Sequence, residues 1–183
     1  IRIEDYNSAL GYLLKASDFF ESSKDEKMLM QNYNSIGIVY KRSDKHDEAI
    51  EFYTKALELA TDLNQKSVQG KSLNNIAVLY QEKGETDKSL SYYKQALHFN
   101  RETKDKSGEA TNLNNIGSLY IVKGEPVKAV EALTKSQKIA EEINDSAILF
   151  RIYTGFSDAF YQLEDYRKSL EFYKLQISLE FME

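Results

Sequence analysis

Apolar and polar positions recur along this chain at helical spacing, three and four residues apart, with few breakers between them. In Ser72-Leu73-Asn74-Asn75-Ile76-Ala77-Val78-Leu79-Tyr80 the apolar stripe is Leu73, Ile76, Ala77 and Tyr80. Forty residues on, the register returns as Asn112-Leu113-Asn114-Asn115-Ile116-Gly117-Ser118-Leu119-Tyr120. Forty residues back it stands as Asn32-Tyr33-Asn34-Ser35-Ile36-Gly37-Ile38-Val39-Tyr40, and Ile152-Tyr153-Thr154-Gly155-Phe156-Ser157-Asp158-Ala159-Phe160 is a fainter fourth copy. Self-similarity at a fixed period is the mark of a repeat architecture, in which each unit buries its apolar face only by stacking on its neighbours.

Each forty-residue unit reads as two helices, A then B. In the second full unit, A is predicted over Lys66 to Lys83 and B over Thr86 to Thr103, with Gly84 punctuating between them. Gly124 does the same one unit later, and Pro126 falls at the start of its B helix, where a missing amide hydrogen costs nothing. Asp25, Asp105 and Asp145 are the expected N-caps of A helices; Gln65, at the same repeat position, is a poorer one. In the B helices, small residues recur at Ala49, Ser89, Ala129 and Ser169, then at Ala56, Ala96 and Ser136. They bracket Tyr53, Tyr93, Leu133 and Tyr173, which predicts a large side chain seated over small ones at each layer.

Glu4-Asp5-Tyr6 matches Glu164-Asp165-Tyr166, and Ala9, Leu13 and Ala16 then take the small, large and small positions of a B helix. The expected order is therefore B followed by four AB pairs, nine helices in one all-α domain. The repeats fall at 1–24, 25–64, 65–104, 105–144 and 145–183. A start inside a repeat, at Ile1 rather than a methionine, is expected of a fragment of a longer protein.

Composition narrows the chemistry. The 183 residues are 42% hydrophobic and 12% aromatic, ample for a core. A net charge of -5 argues against nucleic-acid contact by this domain, which calls for a basic stripe. The absence of cysteine removes disulfides and thiolate metal sites but chooses no compartment. No apolar run reaches membrane-spanning length and no signal peptide is visible, so no membrane contact by this domain is expected.

These residues resemble the tetratricopeptide repeat family. That family's pattern is large, large, Gly/Ala and Tyr in helix A, Gly at the turn, then Ala, aromatic and Ala in helix B. The second unit matches with Leu73, Ile76, Ala77, Tyr80, Gly84, Ser89, Tyr93 and Ala96, and the third with Leu113, Ile116, Gly117, Tyr120, Gly124, Ala129, Leu133 and Ser136. The first departs at the turn, where Asp44 replaces Gly; the fourth departs most, at Ser157, Glu164 and Gln176. The forty-residue period, against the family's thirty-four, predicts longer helices. This variant is similar to kinesin light chains, spindle-orientation adaptors, bacterial quorum-peptide receptors and the sensory regions of bacterial signalling proteins. The resemblance implies a right-handed α-solenoid of antiparallel helix pairs, non-catalytic, binding a protein or peptide segment along a concave surface lined by A helices.

The helical angle then sorts helix A into faces. In the second unit Lys71, Asn75, Val78 and Glu82 lie opposite the core stripe. Counterparts include Ile38 and Arg42 in the first unit, Ser118, Asn115 and Val122 in the third, and Arg151, Gly155, Asp158 and Gln162 in the fourth. Asn34, Asn74 and Asn114 lie on the flank toward the adjacent repeat. Asparagine inside a helix is roughly 0.6 kcal/mol worse than alanine, so its recurrence needs a reason. One reading has Asn75 and Asn115 offering amides to the backbone of an extended peptide, each contributing about 0.5–1.5 kcal/mol. The other has the asparagines bridging neighbouring A helices. Lys41, Arg42, Lys71 and Arg151, balanced partly by Glu82 and Asp158, predict a mildly basic groove suited to a peptide of some acidic character.

Other signals are set aside. Tyr40, Tyr80, Tyr120 and Phe160 read as core rather than a ligand cage. Asp44-Lys45-His46-Asp47-Glu48 reads as a solvated turn, His98 is a single histidine on an outer helix, and no phosphate loop or nucleophile motif occurs. No cofactor, metal or enzymatic activity is expected. The C-terminal helix carries Leu170, Phe172, Tyr173, Leu175, Ile177, Leu179 and Phe181, more apolar surface than a terminal repeat should expose. Further repeats beyond this end, or homo-oligomer formation through terminal helices, are the expected explanations.

Overall fold

The computed structural model describes residues 3–180, side chains over 6–179. Nine helices follow in order: α1 Ile3–Ser23, α2 Glu26–Arg42, α3 His46–Asp62, α4 Lys66–Glu82, α5 Thr86–Glu102, α6 Lys106–Val122, α7 Pro126–Glu142, α8 Ser146–Gln162 and α9 Tyr166–Glu180. Among the described residues there is no strand. Nine helices is the number expected; α2, α4, α6 and α8 are referred to below as A helices.

The helices from α2 to α8 each contain 17 residues and are separated by three-residue turns, so the forty-residue period is two twenties. Every turn has one residue in the left-handed region, at Lys24, Asp44, Asn64, Gly84, Lys104, Gly124, Asn144 and Glu164. At each, the next amide reaches back five residues to a carbonyl, as Lys45 does to Tyr40 and Asp165 to Phe160, both at 3.0 Å. This is the Schellman closure, which satisfies carbonyls left open at a helix end. Glycine is thus the easiest occupant of this position but not the required one. Asp25, Asp105 and Asp145 accept from Met28, Gly108 and Ile148 backbone amides at 3.1, 2.9 and 2.9 Å, and Gln65 makes no such cap bond.

The helices gather into two compact units, 1–99 and 100–183. In the first, Tyr53 is 1% exposed and packs with Ala49, Ile76 and Leu79. A Cβ on Gly37 would lie 2.7 Å from the Tyr53 ring, so any side chain there would force the ring or α2 to shift. Tyr40 stacks on Phe52 and Tyr80 on Tyr92, and both are half-buried against the edge of this cluster rather than inside it. Ser89 is buried and its hydroxyl donates to the Ala77 carbonyl at 2.8 Å, so a polar small residue serves without an unpaired group. Asn32 donates to the Leu13 carbonyl and Ser17 Oγ at 2.7 and 2.8 Å, tying α2 to α1.

In the second unit Leu133, fully buried on α7, takes the ring's place. A Cβ on Gly117 would stand 2.8 Å from Leu133 Cγ, and one on Gly155 would stand 3.0 Å from Leu133 Cδ2. One side chain therefore sits behind both α6 and α8. Ser136 donates to the Ala110 carbonyl at 2.6 Å, the same device as Ser89. The interlock fails at the last repeat: Tyr173 is 50% exposed, with Tyr166, Leu170 and Leu175 exposed beside it. Phe172 instead carries α9 against α8, stacking on Phe156 and Phe160 with centroids 4.5 and 5.6 Å away. Phe181 lies outside the described residues. Among the described residues no helix is long and apolar enough to cross a membrane.

Candidate functional site

The A helices of the second unit enclose an open trough between α6 and α8, with a volume of about 530 Å³. Asn115, Ser118 and Val122 line it from α6, and Arg151 and Asp158 from α8. Asn114, assigned from the sequence to the flank, also lines it. The walls that the sequence did not single out are Ile121, Phe150 and Thr154. They lie one position to the side of the face drawn from the helical angle, and only the spacing of two adjacent helices brings them in.

Two fourth-unit positions have other duties. Gly155 is buried, with Leu133 pressed against it from behind, so it forms floor and presents no side chain. Gln162 donates to the Ile121 carbonyl at 3.1 Å, tying α8 to α6, and does not line the trough.

The polar groups in the trough are poorly matched with one another. Asn114 is 4% exposed, yet its amide oxygen has no donor. The Ser118 hydroxyl is spent on the Asn114 carbonyl at 3.2 Å. No described cation lies within pairing distance of Asp158, and partial burial raises its carboxyl pKa above the ordinary value. Arg151 is exposed and makes no ion pair with a described residue. Arg151, Asp158 and an apolar wall thus face one open space, from which the Asn114 amide oxygen is closed off; nothing here resembles a nucleophile with its base. Among the described residues no group of His, Asp and Glu could hold a metal ion.

The first unit treats the same repeat positions differently. Glu82 pairs with Lys41 and with His46, both at 3.5 Å, and His46 also meets Asp44 at 3.1 Å. The expectation of a mildly basic groove is therefore corrected at Lys41, whose charge is cancelled inside the unit. The turn Asp44 to Glu48 is not simply solvated either, since Asp47 binds Lys83 and His46 binds Glu82. Arg42 lines a separate cavity of about 440 Å³ beside α1, with Tyr6 and Leu10. Lys71 and Ile38 are exposed, and Asn74, Asn75 and Val78 are half-buried. Asn34 is half-buried with an unpartnered amide oxygen, like its repeat counterpart Asn114.

Helix hairpins closed by identical turns, with a polar trough between successive A helices, define a helical-repeat binding scaffold. A profile described as "Tetratricopeptide repeat" matches residues 1–62, 28–102 and 68–142, and the chain belongs to that family. No curated protein sequence matches the chain. Among solved structures it is similar to BtubC (BKLC) from P. vanneervenii, with a TM-score of 0.87 and 19% identity over 97% of this chain and 74% of that one. A Signal Transduction ATPase with Numerous Domains, with a tetratricopeptide repeat sensor, from Pyrococcus horikoshii gives 0.84 and 18% over 97% of this chain and 27% of that one. A Rap protein complexed with Competence and Sporulation Factor gives 0.72 and 18%, covering 97% of this chain and 59% of that one. Identities this low carry the fold alone. The fold is an all-α tetratricopeptide solenoid, generally a non-catalytic scaffold that binds proteins or peptides.

Proposed function

We propose that this chain is a non-catalytic recognition module that holds an extended peptide segment in the trough between α6 and α8. The observation that carries the reading is the juxtaposition of Asn115, Arg151 and Asp158 around one open space, the two charges without an ion-pair partner among the described residues. Polar groups inside a fold are normally paired with one another, and leaving them unpaired is costly unless something else completes them. A segment lying along the trough supplies peptide N–H and C=O groups to the Asn115 amide and apolar side chains to Ile121, Val122 and Phe150. The sensor repeats in the Pyrococcus horikoshii ATPase share this fold, and we extend a sensing or adaptor role to this chain.

The test is selection of random twelve-residue peptides displayed on phage, followed by amide chemical-shift mapping with the synthetic winners. Shifts confined to Asn114–Val122 and Arg151–Asp158 are expected, and Asn115→Ala is expected to weaken binding with no change in melting temperature. Shifts confined to α1 or α9 would sink the proposal. They would favour the second reading, association through a terminal helix, which the exposed Tyr166, Leu170 and Tyr173 of α9 support. That alternative is read by sedimentation: Leu170→Glu would abolish a concentration-dependent dimer.

A further inference from the structure

Outside the trough, large apolar side chains of the second unit lie exposed around its turns. Val122 and Val127 flank the turn between α6 and α7, and Tyr161, Leu163 and Tyr166 surround the turn between α8 and α9. They are 71, 60, 65, 38 and 59% exposed, in that order. Gln162, which stands between Tyr161 and Leu163, reaches the carbonyl of Ile121, next to Val122, so the two turns adjoin. The Tyr161 and Tyr166 rings meet edge to face, their centroids 5.5 Å apart.

The first unit shows what these positions do when they are polar. There Asp47 pairs with Lys83, and Lys41 and His46 pair with Glu82, so ions link one turn to the next. Two repeats later Val127 stands at the Asp47 position and Leu163 at the Lys83 position. The ionic link has become an apolar pair that stays open to solvent. Single apolar residues are ordinary on a surface, but a contiguous patch marks a contact site.

We propose that this turn edge docks an amphipathic helix of a partner protein, one that presents apolar residues at positions i, i+4 and i+7. Spacing favours a helix. Adjoining helices pack about 8–10 Å apart, and residues seven apart on a helix are separated by about 10.5 Å along its axis. One apolar residue then covers Val122, the next the Val127 and Leu163 pair, and the third the two tyrosines. Charge favours an apolar stripe, because Glu125 is taken by Lys128, Asp165 by Lys168 and Arg167 by Glu171. Size disfavours a second copy of this chain. The five side chains leave on the order of 600 Å² bare, short of the roughly 800 Å² that each side of a stable dimer contributes. The net charge of -5 also opposes pairing of two copies. Val122 borders both surfaces, but the edge can hold a helix whether or not the trough holds a peptide.

The probe is a set of stapled, acetylated and amidated helical peptides with Leu, Phe or Ala at those three positions on a background of Gln, Lys and Glu. Affinity is measured by fluorescence polarisation on the whole chain, and the contact by amide chemical shifts. The Leu and Phe peptides are expected to bind about tenfold tighter than the Ala peptide, with shifts confined to 121–128 and 161–167. Val127→Asp with Leu163→Lys imports the first unit's ion pair and should weaken the Leu peptide about tenfold at an unchanged melting temperature. Tyr161→Gln, which copies Gln81 at an exposed position, reads the same loss if the double variant is unstable. Peptides selected on the trough should bind the double variant as before, which separates failure at the edge from failure in the trough. No binding by the Leu and Phe peptides, equal binding by the Ala peptide, or full binding by both variants overturns the proposal. A concentration-dependent dimer lost in the double variant would also overturn it, by making the occupant a second copy. Flotation with phosphatidylglycerol vesicles, lost in the same variant, would overturn it in favour of a lipid surface.

Discussion

The A-helix faces of the two units occupy the same repeat positions and do different things. On α2 and α4 the charges face one another: Lys41 pairs with Glu82, which also pairs with His46. On α6 and α8 the corresponding surface keeps Arg151 and Asp158 without an ion-pair partner among the described residues around an open trough. Behind the faces the packing is nearly identical, a large residue of the B helix against a glycine of the A helix, Tyr53 under Gly37 and Leu133 under Gly117. The repeat therefore prescribes where a side chain stands but not whether its charge is satisfied by the protein. The contrast is confined to Lys41 and Glu82, since Asn34 keeps an unpartnered amide oxygen as Asn114 does, and Lys71, the repeat counterpart of Arg151, is exposed.

The largest expected effect tests the shared packing. Tyr53→Ala and Leu133→Ala should each destabilise the fold by about 3–4 kcal/mol in urea titrations, since both remove fully buried side chains wedged against glycine. Indifference at either site would show that the two units are not built alike. Alkali should separate them next. Burial pushes the Tyr53 phenol up to about 12 from its ordinary value near 10. The unfolded chain therefore releases this proton first, and stability present below pH 10 should be lost as pH rises to 12. The loss is about 2 kcal/mol and should be blunted by Tyr53→Phe; Leu133 supplies no such group in the second unit.

Replacing Asn114 by leucine removes a buried unpaired acceptor and should stabilise by about 1 kcal/mol, measured as a rise in denaturation midpoint. Glu164→Gly and Lys104→Gly relieve left-handed backbone at non-glycine residues, φ 59° and 57°, and should each add up to about 1 kcal/mol. The smallest change is expected at Lys41→Ala, about 0.5 kcal/mol, because Lys41 and Glu82 are 33% and 40% exposed and their attraction at 3.5 Å is screened by solvent. A loss several times larger would mean that the first unit's charge pairing is structural rather than incidental.

Much of the fold was legible before any coordinates. Local signals mark several turns, because Gly84, Gly124, Asn64, Asn144 and Asp44 all tolerate left-handed backbone. Lys24, Lys104 and Glu164 carry no such mark, and their turns follow only from the twenty-residue stride. The candidate site was legible in part. Helical angle alone puts Asn115, Ser118, Val122, Arg151 and Asp158 on one side of their helices. It could not show that Gly155 is pinned under Leu133, that Gln162 reaches the Ile121 carbonyl, or that Arg42 lines a cavity with α1 residues.

What the amino-acid order determined by itself is periodic: helix lengths, turn positions, the core stripe and the angle of each polar residue about its own axis. These depend on neighbours within a few residues and on a constant stride, so one chain read from end to end contains them. Tertiary structure decided the rest: which charges cancel and which remain, whether an amide finds a donor, and how far two A helices stand apart. Those outcomes depend on distances between residues some forty positions apart, to a precision of about an ångström, and no pattern along the chain records them.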